Sequence, residues 1–273
     1  SLGDGADINF GDLLDYLAVD PATRSILLYI EGIRRSRRFL SALRVAARLK
    51  PVVVVKAGRH AAGSRAALSH TGALVGADDV FDAALARAGA VRAMTIEQLF
   101  SAAELLATKY RARGHRLAIV TNAGGPGVLA ADRAADLGVE LATLSETTMA
   151  RLNQLLPAHW SHGNPVDILG DADPMRFRGA AEACLADPHV DGLLVMLTPQ
   201  AMTDPLAVAK HIVELAAGTD KLVLACWMGE AQVHPGRRLF KAAGIPFFTT
   251  PEPAVEVFSF LSAFYENQRL LMQ

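Results

Sequence analysis

Five short apolar runs constrain what this chain can fold into. SILLYI at 25–30, VVVV at 52–55, LAIV at 117–120, LLVML at 193–197 and KLVLAC at 221–226 are nearly unbroken. A strand with one wet face alternates polar and apolar residues. A strand of a parallel sheet, covered on both faces, reads as a continuous run instead. Between these runs the period changes. Phe39, Leu40, Leu43, Ala46 and Ala47 recur at helical spacing and stop at Lys50-Pro51. Alanine-rich 129–137 stops at Gly138, and 206–217 stops at Gly218. Strand and helix in alternation predict an α/β fold with parallel sheets.

A single domain usually has ~100–200 residues, so a chain of 273 residues points to two domains. The predicted boundary is KYRARGH at 109–115, where a helix over 95–108 ends and a fresh strand begins at Arg116. The domains are therefore expected at 1–112 and 113–273. The second holds strands near 117–121, 139–143, 192–197, 221–226 and 246–248, with a shorter extended piece at 166–168. That is enough for a complete doubly wound domain. The first holds strands only at 26–30, 52–56 and 91–93, and is expected to be truncated at its N-terminus.

The formal net charge is −1, which gives nucleic acid little to bind. The arginines of 34–38 sit beside Phe39, Leu40 and Leu43 and read as the solvated face of a helix. Cys184 and Cys226 make neither a disulfide framework nor a CxxC metal pattern, and the scattered histidines support no metal site. No apolar stretch reaches the ~20 residues of a membrane helix, and no signal-peptide pattern opens the sequence. A cytoplasmic protein without membrane or nucleic-acid partners is expected.

Ligand sites of parallel sheets lie beyond the carboxyl ends of the strands. Glu31-Gly32 follows the first run, a carboxylate aimed at that rim or an ordinary partner for the arginines downstream. A loop of about twenty residues follows the second, long for a compact domain. It carries Lys56, Gly58, Arg59 and Gly63, then Ser69-His70-Thr71-Gly72. The basic residues and glycines suit an anion, and Ser69 and Thr71 suit phosphate oxygens. His70 is either a reactive side chain or an idle loop histidine. Asn122-Ala123-Gly124-Gly125-Pro126-Gly127 follows the third run and leads into a helix. It is either a phosphate cradle of backbone N–H groups or a packing turn, and it is neither a Walker A loop nor G-x-G-x-x-G. Asn164-Pro165-Val166-Asp167 reads as turn chemistry before a helix cap at Asp173-Pro174. Thr198-Pro199-Gln200 offers a further rim contact.

Taken together, LYIEG (28–32), KPVVVVKAGR (50–59), SHTGAL (69–74), TNAGGPGVLAAD (121–132), NPVDILGDA (164–172) and DGLLVMLTPQ (191–200) resemble the NDP-forming acyl-CoA synthetase family. This is the ADP-forming acetyl-CoA synthetase branch of the succinyl-CoA synthetase superfamily. The resemblance runs over nearly the whole chain and implies two flavodoxin-like doubly wound domains. It implies that acyl-CoA and phosphate give an acyl phosphate and CoA, that the acyl phosphate phosphorylates His70, and that ADP then takes the phosphoryl group. Glu31 would hold the His70 ring. Ser69, Thr71, Gly72, Asn122, Gly124, Gly125 and Gly127 would face phosphate. CoA and ADP or ATP with Mg²⁺ are expected in the full protein, and none is needed for folding. The expected partners are a CoA-binding Rossmann domain and an ATP-grasp domain or subunit, with a homodimer also expected. The alternative is an acyl-CoA-sensing module fused to a protein lysine acetyltransferase, although such modules often lack the histidine.

Overall fold

A computed structural model describes residues 2, 7–60, 62–63, 77–106 and 114–273. The chain divides into two compact units, Ser1–Lys109 with Ala263–Gln273, and Tyr110–Ser262. Each carries a parallel sheet.

In unit 1, helix α1 (Phe10–Val19) precedes β1 (Ile26–Ile30), α2 (Ser36–Leu49), β2 (Val52–Lys56), α3 (Asp78–Arg87), β3 (Val91–Ala93) and α4 (Ile96–Leu106). The strands pair in the order β1-β2-β3. Lys50-Pro51 stops α2, and four valines follow, all buried. β-branched side chains suit a pleated, two-sided burial. Helix α1 opens with a capping box: the Asn9 side chain accepts from Gly11 N at 2.8 Å, and Asp12 Oδ2 accepts from Asn9 N at 3.1 Å. The arginines of 34–38 are all exposed, as expected, and Arg38 pairs with Asp12 and Asp15 of α1.

The expected second domain ran to 273, but the last residues pack with unit 1. Leu271 is buried in its core with Leu14, Leu43 and Ala47. Asn267 donates to Ala90 O at 2.7 Å, and Gln268 donates to Ala47 O and Gly89 O at 3.1 Å. Gly89 has φ +82° and lies so close that a Cβ there would be 2.6 Å from Leu271. An alanine there would be strained by the backbone conformation and would make the Leu271 side chain shift.

Unit 2 runs β4 (Arg116–Thr121), α5 (Gly124–Asp136), β5 (Glu140–Leu141), α6 (Glu146–Leu155), β6 (Val166–Asp167), α7 (Pro174–Ala186), β7 (Gly192–Leu197), α8 (Pro205–Ala217), β8 (Leu222–Trp227), α9 (His234–Ala243) and β9 (Phe247–Phe248). Helix α10 (Pro251–Met272) follows. The order β5-β4-β7-β8-β9, all parallel, places the central strands β4, β7 and β8 in the core.

Strands β5 and β6 share one edge of β4, β5 pairing with Arg116 and Leu117, and β6 with Val120 and Thr121. Between them a side chain stands in for main chain. Asn164 Oδ1 accepts from Ile119 N at 2.9 Å, while its Nδ2 donates to Leu117 O at 2.8 Å and Ala142 O at 3.0 Å. The amide of asparagine has the donor and acceptor of a peptide group, so it bridges the gap in the ladder.

Two carboxylates make unit 2 sensitive to acid. Burial disfavours the charge of both Asp187 and Asp191. Hydrogen bonds outweigh it: His189 N and Ser145 N donate to Asp187, and Arg116 donates to Asp191. Both folded pKa values therefore lie below the ordinary 3.8. Near and below that value the unfolded chain binds more protons than the folded one, so the contribution is complete above about pH 4 and is lost as pH falls through the folded values. Both tryptophans, Trp160 and Trp227, are in unit 2. Their fluorescence should show unit 2 loosening as pH falls below about 4, less steeply in Asp187→Asn. An equally steep profile in that variant would remove Asp187 from the account.

Burial pushes the thiols of Cys184 and Cys226 up to about 12, and both are free. Among the described residues no helix is long and apolar enough to cross a membrane.

Candidate functional site

In unit 1 the carboxyl ends of β1 and β2 bring Glu31 and Lys56 to one rim. Both line a cavity of ≈ 240 Å³ whose walls include Phe39, Leu40, Val80 and Phe81. The chain leaves β2 through Gly58 at φ +73°, a left-handed conformation that glycine adopts without a Cβ penalty. Ser69, His70, Thr71 and Gly72 lie outside the described residues.

The basic residues of this rim have a carboxylate partner. Asp78, the first residue of α3, takes Lys56 Nζ at 3.3 Å and Arg92 at 2.7 Å on Oδ1, and lies 3.6 Å from Arg59 Nε through Oδ2. Arg92 also pairs with Asp82 at 2.7 Å. The Phe81 ring has Lys56 Nζ at 5.3 Å and the Arg92 guanidinium at 5.7 Å, a cation–π geometry. Burial works against the charge of Asp78, but Arg92 and Lys56 hold its pKa below the usual carboxylate range. Lys56 and Arg59, which the sequence offers to an anion, are thus engaged by a residue some twenty positions later.

In unit 2, β4 is followed by β5 on one side of it and by β7 on the other. The crevice between the carboxyl ends of β4 and β7 is the switch point, where doubly wound sheets bind ligands. Asn122 clamps it. Its Oδ1 accepts from Thr198 N and its Nδ2 donates to Thr198 O, both at 2.8 Å. Both polar ends of the Asn122 side chain are so engaged, and the residue is 1% exposed. What it turns toward a ligand is therefore main chain. Thr121 Oγ1 pins the same turn, accepting from Ala123 N at 3.1 Å and donating to Ala123 O at 3.0 Å.

Helix α5 starts directly at this turn. Its cap residue is Ala123, which offers no side-chain oxygen. The N–H groups of Gly124 and Gly125 have no intrahelical acceptor, and Pro126 has no N–H to satisfy. A Cβ on Gly124 would stand 3.1 Å from Asp167 Oδ2, whereas a Cβ on Gly125 would meet nothing within 4 Å. Gly127 is closed in, with Thr121 at 3.2 Å from a Cβ position. The turn therefore presents one open glycine, two free donors and the positive end of the helix dipole. Among the described residues Thr198 Oγ1, also at the switch point, is buried with no hydrogen-bond partner. Asp167 Oδ1 accepts from Leu169 N at 3.0 Å, which holds the β6 end in shape.

Residues 1–106 match the family described as "Succinyl-CoA ligase like flavodoxin domain", and residues 117–269 match "Ligase-CoA domain". The chain belongs to the family of the Ligase-CoA domain, whose match covers more than half of it. Acetate–CoA ligase [ADP-forming] I of Archaeoglobus fulgidus is 42% identical over 97% of this chain and 37% of its own length. The alpha subunit of acetate–CoA ligase [ADP-forming] II of Pyrococcus furiosus is 39% identical over 92% of this chain and 56% of its own. The dinucleotide forming acetyl-coenzyme A synthetase 1 of Ca. Korarchaeum cryptofilum, solved with phosphate and ADP, superposes with a TM-score of 0.89 at 34% identity. That alignment covers 100% of this chain and 60% of the other. The chain thus spans between about a third and three fifths of these proteins.

Asp78 and Arg92 escape a reading of the sequence. The available signal was weak: an acid at the start of α3, and an arginine inside a short strand that is otherwise apolar. Neither shows its partner, because ion pairs between elements follow no period.

Proposed function

We propose that this chain is the histidine-bearing and phosphate-facing portion of an ADP-forming acyl-CoA synthetase. Further domains or a partner subunit would supply the CoA and nucleotide sites. In the direction of ATP formation, a phosphate oxygen attacks the thioester carbonyl of acyl-CoA and the thiolate leaves as CoA. A ring nitrogen of His70 then attacks the phosphorus of the acyl phosphate, and the carboxylate leaves. Finally a terminal oxygen of ADP attacks the phosphohistidine phosphorus, forming ATP and freeing the ring.

The residues divide this work by charge and position. The carboxylate of Glu31, at the end of β1, is suited to accept the other ring N–H of His70 and stabilise its positive charge. Ser69, Thr71 and Gly72 flank the nucleophile as donors. In unit 2, the N–H groups of Gly124 and Gly125 and the hydroxyl of Thr198 are suited to phosphoryl oxygens, with Asn122 holding strands and turn in place. Phosphoryl transfer needs mainly positioning and charge stabilisation. Among the described residues no three His, Cys, Asp or Glu side chains group to hold a metal ion. No step is therefore assigned to the magnesium that accompanies nucleotides.

The uncapped glycine turn at the switch point is the observation that carries this reading. Gly125→Ala tests it, because the new methyl enters open space in the protein. Folding stability should be unchanged or higher, alanine being the better helix former. Phosphoryl transfer should fall by about tenfold or more, since the methyl occupies the place of a ligand oxygen. Wild-type turnover in this variant would remove the cradle from the mechanism.

A further inference from the structure

We propose that the groove between α2 and α3 of unit 1 is the docking site for an acidic amphipathic helix from another portion of the assembled enzyme. The proposal rests on the reading that further domains or a partner subunit complete this chain. The groove has a volume of ≈ 370 Å³. Its floor is Leu40, Val80, Ala83, Ala84 and Ala88, and its banks carry Arg44 and Arg87. On α3 the groove residues fall at 80, 83, 84, 87 and 88, one face of a helix. Val80 is 66% exposed there. The groove also reaches the candidate site: Leu40, Val80 and Ala84 line both it and the cavity of Glu31 and Lys56. A helix docked in it therefore brings its own portion of the enzyme to the rim of β1 and β2.

Charge selects the occupant. Where α2 meets α1, Arg38 is neutralised by Asp12 and Asp15. Arg44 lines the groove instead, and Arg37 lies two turns before it on the same face of α2. Among the described residues neither of these, nor Arg87, pairs with a carboxylate. The acids of α3 are engaged elsewhere: Asp78 and Asp82 with Arg92, and Asp79 with the N–H of Val80 at 2.9 Å. Water satisfies the arginines but not the apolar floor. An amphipathic helix satisfies both, with small apolar side chains in the groove and Asp or Glu on its flanks reaching the guanidinium groups. The alanines of the floor let a helix come close. From Val80 to Ala88 the groove runs about 12 Å along α3, the length of about two helical turns. Charge also rules out a second copy of the same face, since arginine would meet arginine.

The test uses the assembled holoenzyme with a photo-crosslinking amino acid in place of Ala83 on the floor or, in a second protein, of Ser41 on α2, both exposed positions. Mass spectrometry of the linked peptides identifies what each position touches. The expected partner is a helical segment of another part of the same enzyme in which Asp and Glu outnumber Lys and Arg. Reversing both banks, Arg44→Glu with Arg87→Glu, should lower the yield of that crosslink about tenfold. Arg44→Gln with Arg87→Gln should lower it less, because attraction is lost without repulsion. Circular dichroism and the thermal midpoint identify folded variants, and either crosslinking position decides alone if the other does not fold. Capture of a segment without excess acid, of a second copy of this chain, of nucleic acid or of nothing overturns the proposal. An unchanged yield after charge reversal does so too. Crosslinking needs no turnover, so the two readings fail separately. An active wild type that never labels His70 ends the phosphohistidine reading and leaves the docking result standing, whereas a labelled, active wild type that captures nothing ends the docking proposal alone.

Discussion

Replacing His70 by Asn will abolish acid-labile phosphate on the assembled enzyme and reduce the overall rate by roughly 10⁴-fold or more, the scale on which loss of a nucleophile is felt. Asparagine is close to the imidazole in size and polarity but cannot carry a phosphoryl group. In the proposed sequence of steps acyl phosphate forms from acyl-CoA and phosphate before the histidine step, so that half of the chemistry should survive and acyl phosphate should accumulate. Glu31→Gln should show a different pattern. The ring would keep a hydrogen-bond partner but lose the charge that favours its cationic form, and labelling should slow by about a hundredfold without vanishing. His70 belongs to unit 1, so the tryptophan-reported unfolding of unit 2 should not move in either variant. Full turnover in His70→Asn would end the phosphohistidine mechanism for this chain.

The largest effect on stability is expected at Asn164. In Asn164→Ala three hydrogen bonds are lost. Leu117 O keeps a second donor, Ala142 N at 2.8 Å. Ile119 N, in the middle of a strand buried from Leu117 to Thr121, loses its acceptor. An orphaned buried donor costs about 1–3 kcal/mol and each of the other two lost bonds about 1 more, so the loss is about 3 kcal/mol at the least. For a unit of this size that lowers Tm by about 6–12 °C. Urea unfolding followed by Trp160 and Trp227 reports the loss of unit 2, which holds both tryptophans. A midpoint within error of wild type would show that water or main chain replaces the amide at no cost. Asn164→Asp should also destabilise, because it keeps the acceptor for Ile119 but turns a carboxylate oxygen toward the carbonyls of Leu117 and Ala142.

The same residue marks where reading the sequence falls short. The continuous runs at 25–30, 52–55, 193–197 and 221–226 became β1, β2, β7 and β8, because burial on both faces leaves its mark in every residue. The edge strands did not read so well. The stretch expected at 139–143 pairs only at Glu140–Leu141, and 166–168 only at Val166–Asp167, since a side-chain amide does the work of main chain between them. Asn164-Pro165 reads as a turn, and nothing in its neighbours says that it spans two strands. Helix α5 begins at Gly124 rather than at the expected 128. Two glycines and a proline look like a loop, yet Pro126 falls in the first helical turn, where its missing N–H costs nothing.

By itself the sequence determined that the chain is an α/β protein with parallel sheets. It also placed the glycine turn and Glu31 at strand ends. These are local properties: hydrophobic period, turn residues and their order along the chain. Tertiary structure decided which of those residues are already engaged. It gave the side chain of Asn122 to Thr198, left the open space beside Gly125, and gave Lys56 and Arg59 to Asp78. Such pairings join residues far apart in sequence, and only the packed elements bring their charges and amides within reach.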